Sequence, residues 1–219
     1  MALCLLLLCG CGASAPRTAV STTGAVLEKR RATACRARFH HRPYRAIHSI
    51  RATLPGGGRE DLTSVTVVDP GTRRVRVVLL SIEGTILFDG VSAEGEHRIL
   101  RSVKRLSDPR FVAGLFRDVE FLNLAPKGTL DVQRGNTNHC TWHDTGGWIT
   151  EVTDLPGGGR VMRRFNPKRE ETMQARLSMD SGREAASTHL RVQERRPYTL
   201  DLNLVSFEFV DSTQGLFDY

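Results

Sequence analysis

From Ala46 to Val210 the chain divides into short β-branched runs, many alternating apolar with polar, and that period of two restricts most of it to half-buried strands. Arg74 to Leu80 reads Arg-Val-Arg-Val-Val-Leu-Leu, alternating first and then continuously apolar. Ala46–Leu54 and Leu62–Val68 precede it, and Thr85–Val91 follows after Gly84. Turn chemistry separates the runs: Pro55-Gly56-Gly57-Gly58, Asp69-Pro70-Gly71, Asp89-Gly90 and Pro156-Gly157-Gly158-Gly159. The hexapeptide Leu-Pro-Gly-Gly-Gly-Arg occurs at 54–59 and again at 155–160. Its flanks do not repeat, so it reads as one hairpin loop used twice. Neither copy is followed by Lys-Ser/Thr, which excludes a phosphate loop of that type.

The second half offers further strands at 129–134, 138–143, 148–153, 161–165, 172–178, 187–194 and 198–210. The last alternates Leu200, Leu202 and Leu204, then Phe207 and Phe209, with a change of phase at Val205-Ser206. One segment has the other period. Asp108 is an N-cap candidate with Pro109 at the first helical position. Phe111, Val112, Leu115, Phe116, Val119 and Leu122 then form an apolar stripe that ends near Asn123. A helix of this kind must bury that stripe, and a half-buried sheet is the available partner. The predicted fold is mostly β (α+β). It is a strongly curved antiparallel half-barrel of about ten or eleven strands, with one main helix on its concave face.

The N-terminus is different in kind. Met1 to Ala15 carries no charge and contains Leu3-Cys4-Leu5-Leu6-Leu7-Leu8-Cys9, too short to span a bilayer as a helix but the length of a signal-peptide core. It ends in Leu8-Cys9-Gly10-Cys11, which resembles the bacterial lipobox: Leu at −3, small Gly10 at −1, and Cys11 as the thiol that accepts the diacylglyceryl group. Cys9 fits less well, because Leu8 would occupy its −1 position. Met1-Ala2 lacks the Lys or Arg expected before such a core, which leaves an upstream start open, and the alternative to the lipobox is an ordinary secretory signal cut near Ala13 or Ala15. The predicted organisation is a signal peptide over 1–10, then lipidated Cys11 with a tether and basic neck over 11–45, and a single β domain over 46–219. Gly12 and Ala13 carry no Asp retention signal, so the expected location is the outer membrane, facing the periplasm.

Removal of residues 1–10 leaves Cys11, Cys35 and Cys140. With Cys11 acylated, Cys35 and Cys140 remain either as a disulfide in an oxidising compartment or as two unpaired thiols. The chain carries 31 Lys and Arg against 24 Asp and Glu, a net charge of +7. Lys29, Arg30, Arg31, Arg36, Arg38, Arg42, Arg45 and Arg51 stand against Glu28 alone within 28–51. Beside a lipid anchor such a cluster can face anionic head groups, and it reads equally well as a solvated neck. Nucleic acid is not an expected partner of an exported chain.

The passage Val77-Val78-Leu79-Leu80-Ser81-Ile82-Glu83-Gly84-Thr85-Ile86-Leu87-Phe88, leading to the 108–123 helix, resembles the LolA/LolB-like superfamily of bacterial envelope proteins over roughly residues 46–125. That resemblance implies an apolar cavity for acyl chains, and a role in binding or carrying a lipid, a lipoprotein or a lipid-linked product, without identifying the cargo. Phe88, Phe111, Leu115, Phe116, Val119, Trp148 and Phe165 are the candidate cavity-lining residues, with a filled core as the alternative for each. The expected partners are the membrane through Cys11, an apolar or acylated ligand, and an envelope protein. The alternative function is a structural or assembly lipoprotein that has a filled core and acts through protein contacts.

Reactive chemistry is sparse. His139-Cys140-Thr141-Trp142-His143 puts residues 139, 141 and 143 on one strand face and Cys140 on the other. Two histidines fall short of the four ligands of a structural zinc site, and His40-His41 adds no better set. No Gly-x-Ser-x-Gly elbow and no His-Glu-x-x-His are present. The expectation is a binding protein with no catalytic residues, no metal and no cofactor.

Overall fold

The computed structural model describes residues 22–131, 138–179, 184–194 and 196–217. A first helix, α1 (Thr22–Arg36), leads into the strands β1 (Tyr44–Thr53), β2 (Arg59–Asp69), β3 (Arg74–Leu80), β4 (Ile86–Ala93) and β5 (Glu96–Ser102). A second helix, α2 (Pro109–Asn123), then precedes β6 (Thr129–Asp131), β7 (His139–His143), β8 (Ile149–Asp154) and β9 (Gly159–Phe165). The strands β10 (Glu171–Met179), β11 (Ala185–Val192) and β12 (Tyr198–Phe209) complete the chain.

The twelve strands form one sheet in the order β5-β4-β3-β2-β1-β12-β11-β10-β9-β8-β7-β6. Neighbours in space are neighbours in sequence except at β1–β12, where the first and last strands pair antiparallel and join two meandering wings. Curvature follows from what the two wings share. β3 and β9 lie six strand spacings apart in this order, roughly 29 Å in a flat sheet, yet Val77 and Met162 line one cavity. The sheet therefore curls, and α2 lies across the concave side.

α2 forms where its signals predict. The Asp108 side chain accepts a hydrogen bond from the Arg110 amide at 2.8 Å, Pro109 opens the helix, and Val112, Phe116 and Phe121 bury its apolar stripe. The phase change in the last strand is also real. Ile47 faces Ser206 while His48 faces Leu204, so Val205 is the extra residue of a β-bulge in β12.

Three expectations are corrected. The strand count is twelve, because β5 was not foreseen. This edge strand, Glu-His-Arg-Ile-Leu-Arg-Ser, is largely exposed and charged, as unpaired edges tend to be. It follows a two-residue turn in which Glu94 and Gly95 both have positive φ, at 55° and 94°, the requirement of a tight right-twisted hairpin. Asp89-Gly90 is not a turn. It lies inside β4 at a register shift, with Gly90 so close to its neighbours that a Cβ there would sit 2.7 Å from the Phe88 ring and 3.1 Å from the Arg98 carbonyl oxygen. Finally, the stretch expected to be tether and neck contains α1, and β1 begins at Tyr44 rather than Ala46. Ala25 to Arg36 has neither Pro nor Gly and is rich in helix formers, but it lacks an apolar stripe to announce itself.

The interior divides into two clusters that meet at Leu200 and Leu202 of β12. One gathers Cys35, Phe39, Trp142, Met162, Met173 and Leu190 with Phe121 of α2. The other packs Val75, Val77, Leu79 and Phe88 against Val112 and Phe116. On the opposite face of the sheet Phe217 folds back onto Val67 and Val91, and the Arg74 guanidinium lies 4.7 Å from its ring centre. Among the described residues no helix is long and apolar enough to cross a membrane.

Candidate functional site

The two core clusters do not close completely. Beneath α2, at their seam, lies a cavity of about 130 Å³. Its floor is the inward face of β1 and β12: Ala46, His48 and Ile50 from the first, Leu200, Leu202, Leu204 and Phe207 from the last. Val77 and Leu79 form one wall, and Met162, Leu177 and Met179 the other. α2 roofs it with Leu115, Val119 and Leu122.

Specific polar contacts hold the roof. Tyr44 donates its hydroxyl to the Asn123 side-chain oxygen at 2.8 Å, Ser92 donates to Glu120 at 2.6 Å, and Arg73 reaches the Ala125 carbonyl at 2.8 Å. Midway along α2, the carboxylate of Asp118 faces the cavity at 4 % exposure, accepting from the Tyr198 hydroxyl and from Arg117 at 3.2 Å. Burial raises its pKa to about 6, opposed by the Tyr198 hydrogen bond and the Arg117 charge. Arg117 in turn bonds Glu194 at 2.5 Å, so α2 is tied to the loop between β11 and β12.

The segment between α1 and β1 also borders the cavity. Arg38, Phe39 and His40 line it there, beside an aromatic group in which His40 lies 4.9 Å from both Tyr44 and Phe207. Arg38 and Arg160 both bond the Asp154 carboxylate, at 2.7 and 2.9 Å. Although burial opposes it, these two guanidinium groups hold Asp154 below the usual carboxylate range. Cys35 and Cys140, both buried, are joined in a disulfide with Cα atoms 5.9 Å apart, which fastens the end of α1 to β7. Arg38 is therefore part of the fold, while Arg45 and Arg51 pair with Glu208 and Asp61 across the surface.

Of the seven candidate lining residues, Leu115 and Val119 face the cavity. Phe88 and Phe116 are fully buried and pack edge to face at 6.2 Å, with Phe111 at the same distance from Phe88, so these three fill the interior beside the cavity. Trp148 sits in the turn before β8 with the Arg164 guanidinium 4.7 Å from its ring centre. Phe165 pairs with Ile149 and Glu171 on the face of the sheet away from α2, because it is one residue out of phase with Arg164 and Met162. Cys11 lies outside the described residues. His139 shares a face with Thr141 and is bonded by Thr153 at 2.8 Å and Thr141 at 3.1 Å, opposite the disulfide.

Polar groups on the floor were not anticipated. His48 lines the cavity, and burial holds its imidazole down at about 4, uncharged at neutral pH. Ser64, which faces His48 across the β1–β2 ladder, and Thr66, which faces Ala46, are 3 % and 5 % exposed and also line the space. The signal was the inward phase of β1, which places Tyr44, Ala46, His48, Ile50 and Ala52 on one face.

No protein-family model and no curated protein matches the chain. Solved structures do. A LolA superfamily protein from Nitrosomonas europaea superposes with a TM-score of 0.51 at 10 % identity, covering 92 % of this chain and 99 % of that one. The fold is LolA-like. A domain classed with outer membrane lipoprotein-sorting proteins, from Vibrio parahaemolyticus, gives the same TM-score and identity over 87 % of this chain and 97 % of its own. At such identity the LolA-like likeness concerns the path of the chain. The residues lining the cavity are this protein's own.

Proposed function

We propose that the protein is a bacterial envelope lipoprotein, anchored through acylated Cys11, that binds or carries an apolar acylated ligand beneath α2. The observation that carries this reading is the apolar cavity between α2 and the concave sheet in a LolA-like fold. A lining that is mostly aliphatic and aromatic, with a few polar groups among it, favours the hydrocarbon part of a ligand. The protein acts by binding rather than by catalysis, on the periplasmic side of the outer membrane.

The volume adds a requirement. A cavity of about 130 Å³ is close to one that takes benzene, so a long acyl chain enters only as α2 moves away from the sheet. The same tightness, with Phe88 and Phe116 fully buried, supports a second reading: an assembly lipoprotein that acts through protein contacts.

Native mass spectrometry with lipid extraction, on protein exported to the periplasm, separates the two. A stoichiometric acylated species, lost in folded Leu115→Asp, supports the carrier. A clean apo mass with no uptake of added lipid favours the assembly protein. Metabolic labelling with palmitate, abolished by Cys11→Ala, tests the anchor.

A further inference from the structure

The cavity floor is not uniformly greasy, and its polar part sits on two adjacent strands. His48 and Ser64 are direct partners in the β1–β2 ladder, which puts their Cβ atoms about 5 Å apart, and Thr66 follows on the same face. All three line the cavity. Ser64 and Thr66 are more than nine-tenths buried, yet neither hydroxyl is among the buried side-chain atoms left without a partner in the described residues, and both residues line the space of the cavity. Polar groups set among an apolar lining fix the orientation of whatever occupies the space. A strand lining a purely hydrocarbon slot would carry Val or Ile at these places. We infer that His48, Ser64 and Thr66 form a hydrogen-bonding shelf for the polar group of the ligand, and that the ligand is an uncharged acyl ester of the acylglycerol type.

The charge balance selects the class. A neutral imidazole offers one donor and one acceptor, and each hydroxyl offers both, which suits ester carbonyls and glycerol hydroxyls. A free carboxylate would need a cation to offset its desolvation. The cations that line the cavity, Arg38 and Arg160, are both bonded to Asp154, and the acid in the roof, Asp118, would repel an anion. A bare hydrocarbon would make no hydrogen bond to the shelf.

This inference rests on the carrier reading, and its test distinguishes the two. The full-length protein, purified in CHAPS (which has no alkyl chain), is titrated with three pyrene-labelled probes of equal chain length: a monoacylglycerol, the free fatty acid and the alkane. The expected result is that the ester binds about tenfold or more tightly than the acid or the alkane. Ser64→Ala/Thr66→Val, close in shape, should lose about tenfold for the ester and nothing for the alkane, with no drop in melting temperature. Equal binding of ester and alkane by the natural protein, or an ester affinity unchanged in the variant, overturns the shelf and leaves the carrier standing. Acid binding as tight as ester binding overturns the ligand class. If no probe binds, the carrier reading falls and the shelf with it. Should the double variant fail to fold, the ester-to-alkane ratio of the natural protein decides alone.

Discussion

If the space beneath α2 is empty, filling it should stabilise the protein, and Ala46→Leu is the substitution that tests this. Ala46 is 3 % exposed and lines the cavity from near the start of β1. At ~24 cal/mol per Å³, about 130 Å³ of void costs about 3 kcal/mol of stability. Leu adds three carbons to Ala, and a cavity near the size that holds benzene has room for them. Their burial is worth roughly 2.4 kcal/mol at ~0.8 kcal/mol per carbon. Ordering the longer side chain takes back about 0.5–1 kcal/mol. The net gain is about 1.5 kcal/mol, a rise in melting temperature of roughly 3–6 °C for a chain of this length. Val75→Leu is the control, because Val75 is fully buried in β3 and does not line the cavity. Overpacking there should cost about 1–3 kcal/mol and lower the melting temperature. Thermal unfolding followed by circular dichroism reads both. A fall for Ala46→Leu comparable to that for Val75→Leu would mean the interior is already filled, and the argument for a ligand space would fail.

Other consequences are as direct. His48 stays neutral in the native state down to about pH 4 but protonates near 6.5 when unfolded, so its contribution is present above pH 6.5 and lost as pH falls towards 4. Urea titrations at pH 7 and pH 4.5 should show a smaller acid loss in His48→Gln than in the natural protein. The Cys35–Cys140 bridge spans 105 residues of sequence, and Cys35→Ser/Cys140→Ser should lose roughly 2–5 kcal/mol in chemical denaturation under non-reducing conditions. An unchanged midpoint would show that the bridge adds no stability. Gly90→Ala forces a Cβ against the Phe88 ring and should cost about 1–3 kcal/mol. Adding Phe88→Leu should return part of that loss, and strict additivity of the two in a double-mutant cycle would contradict the predicted clash.

What the sequence determined by itself is what depends on near neighbours. The alternation of Arg74 to Leu80, the Asp108-Pro109 start of α2, and the change of phase at Val205 are all set within a few residues, and each has its structural counterpart in β3, the helix cap and the β12 bulge. Segments without a strong local pattern escaped. β5 is charged because it is an edge, and α1 has no apolar stripe because a disulfide and the following Phe39 secure it instead. The tertiary structure alone decided the cavity. Its floor exists because β1 pairs with β12, strands more than a hundred residues apart, and no local period announces such a pairing. The β1–β2 ladder set Ser64 beside His48 and Thr66 beside Ala46 on that enclosed face, while the phase of β9 sent Phe165 to the other face. Side-chain type is written in the chain, but which face is enclosed is settled only when a second wing of sheet and a helix close over it.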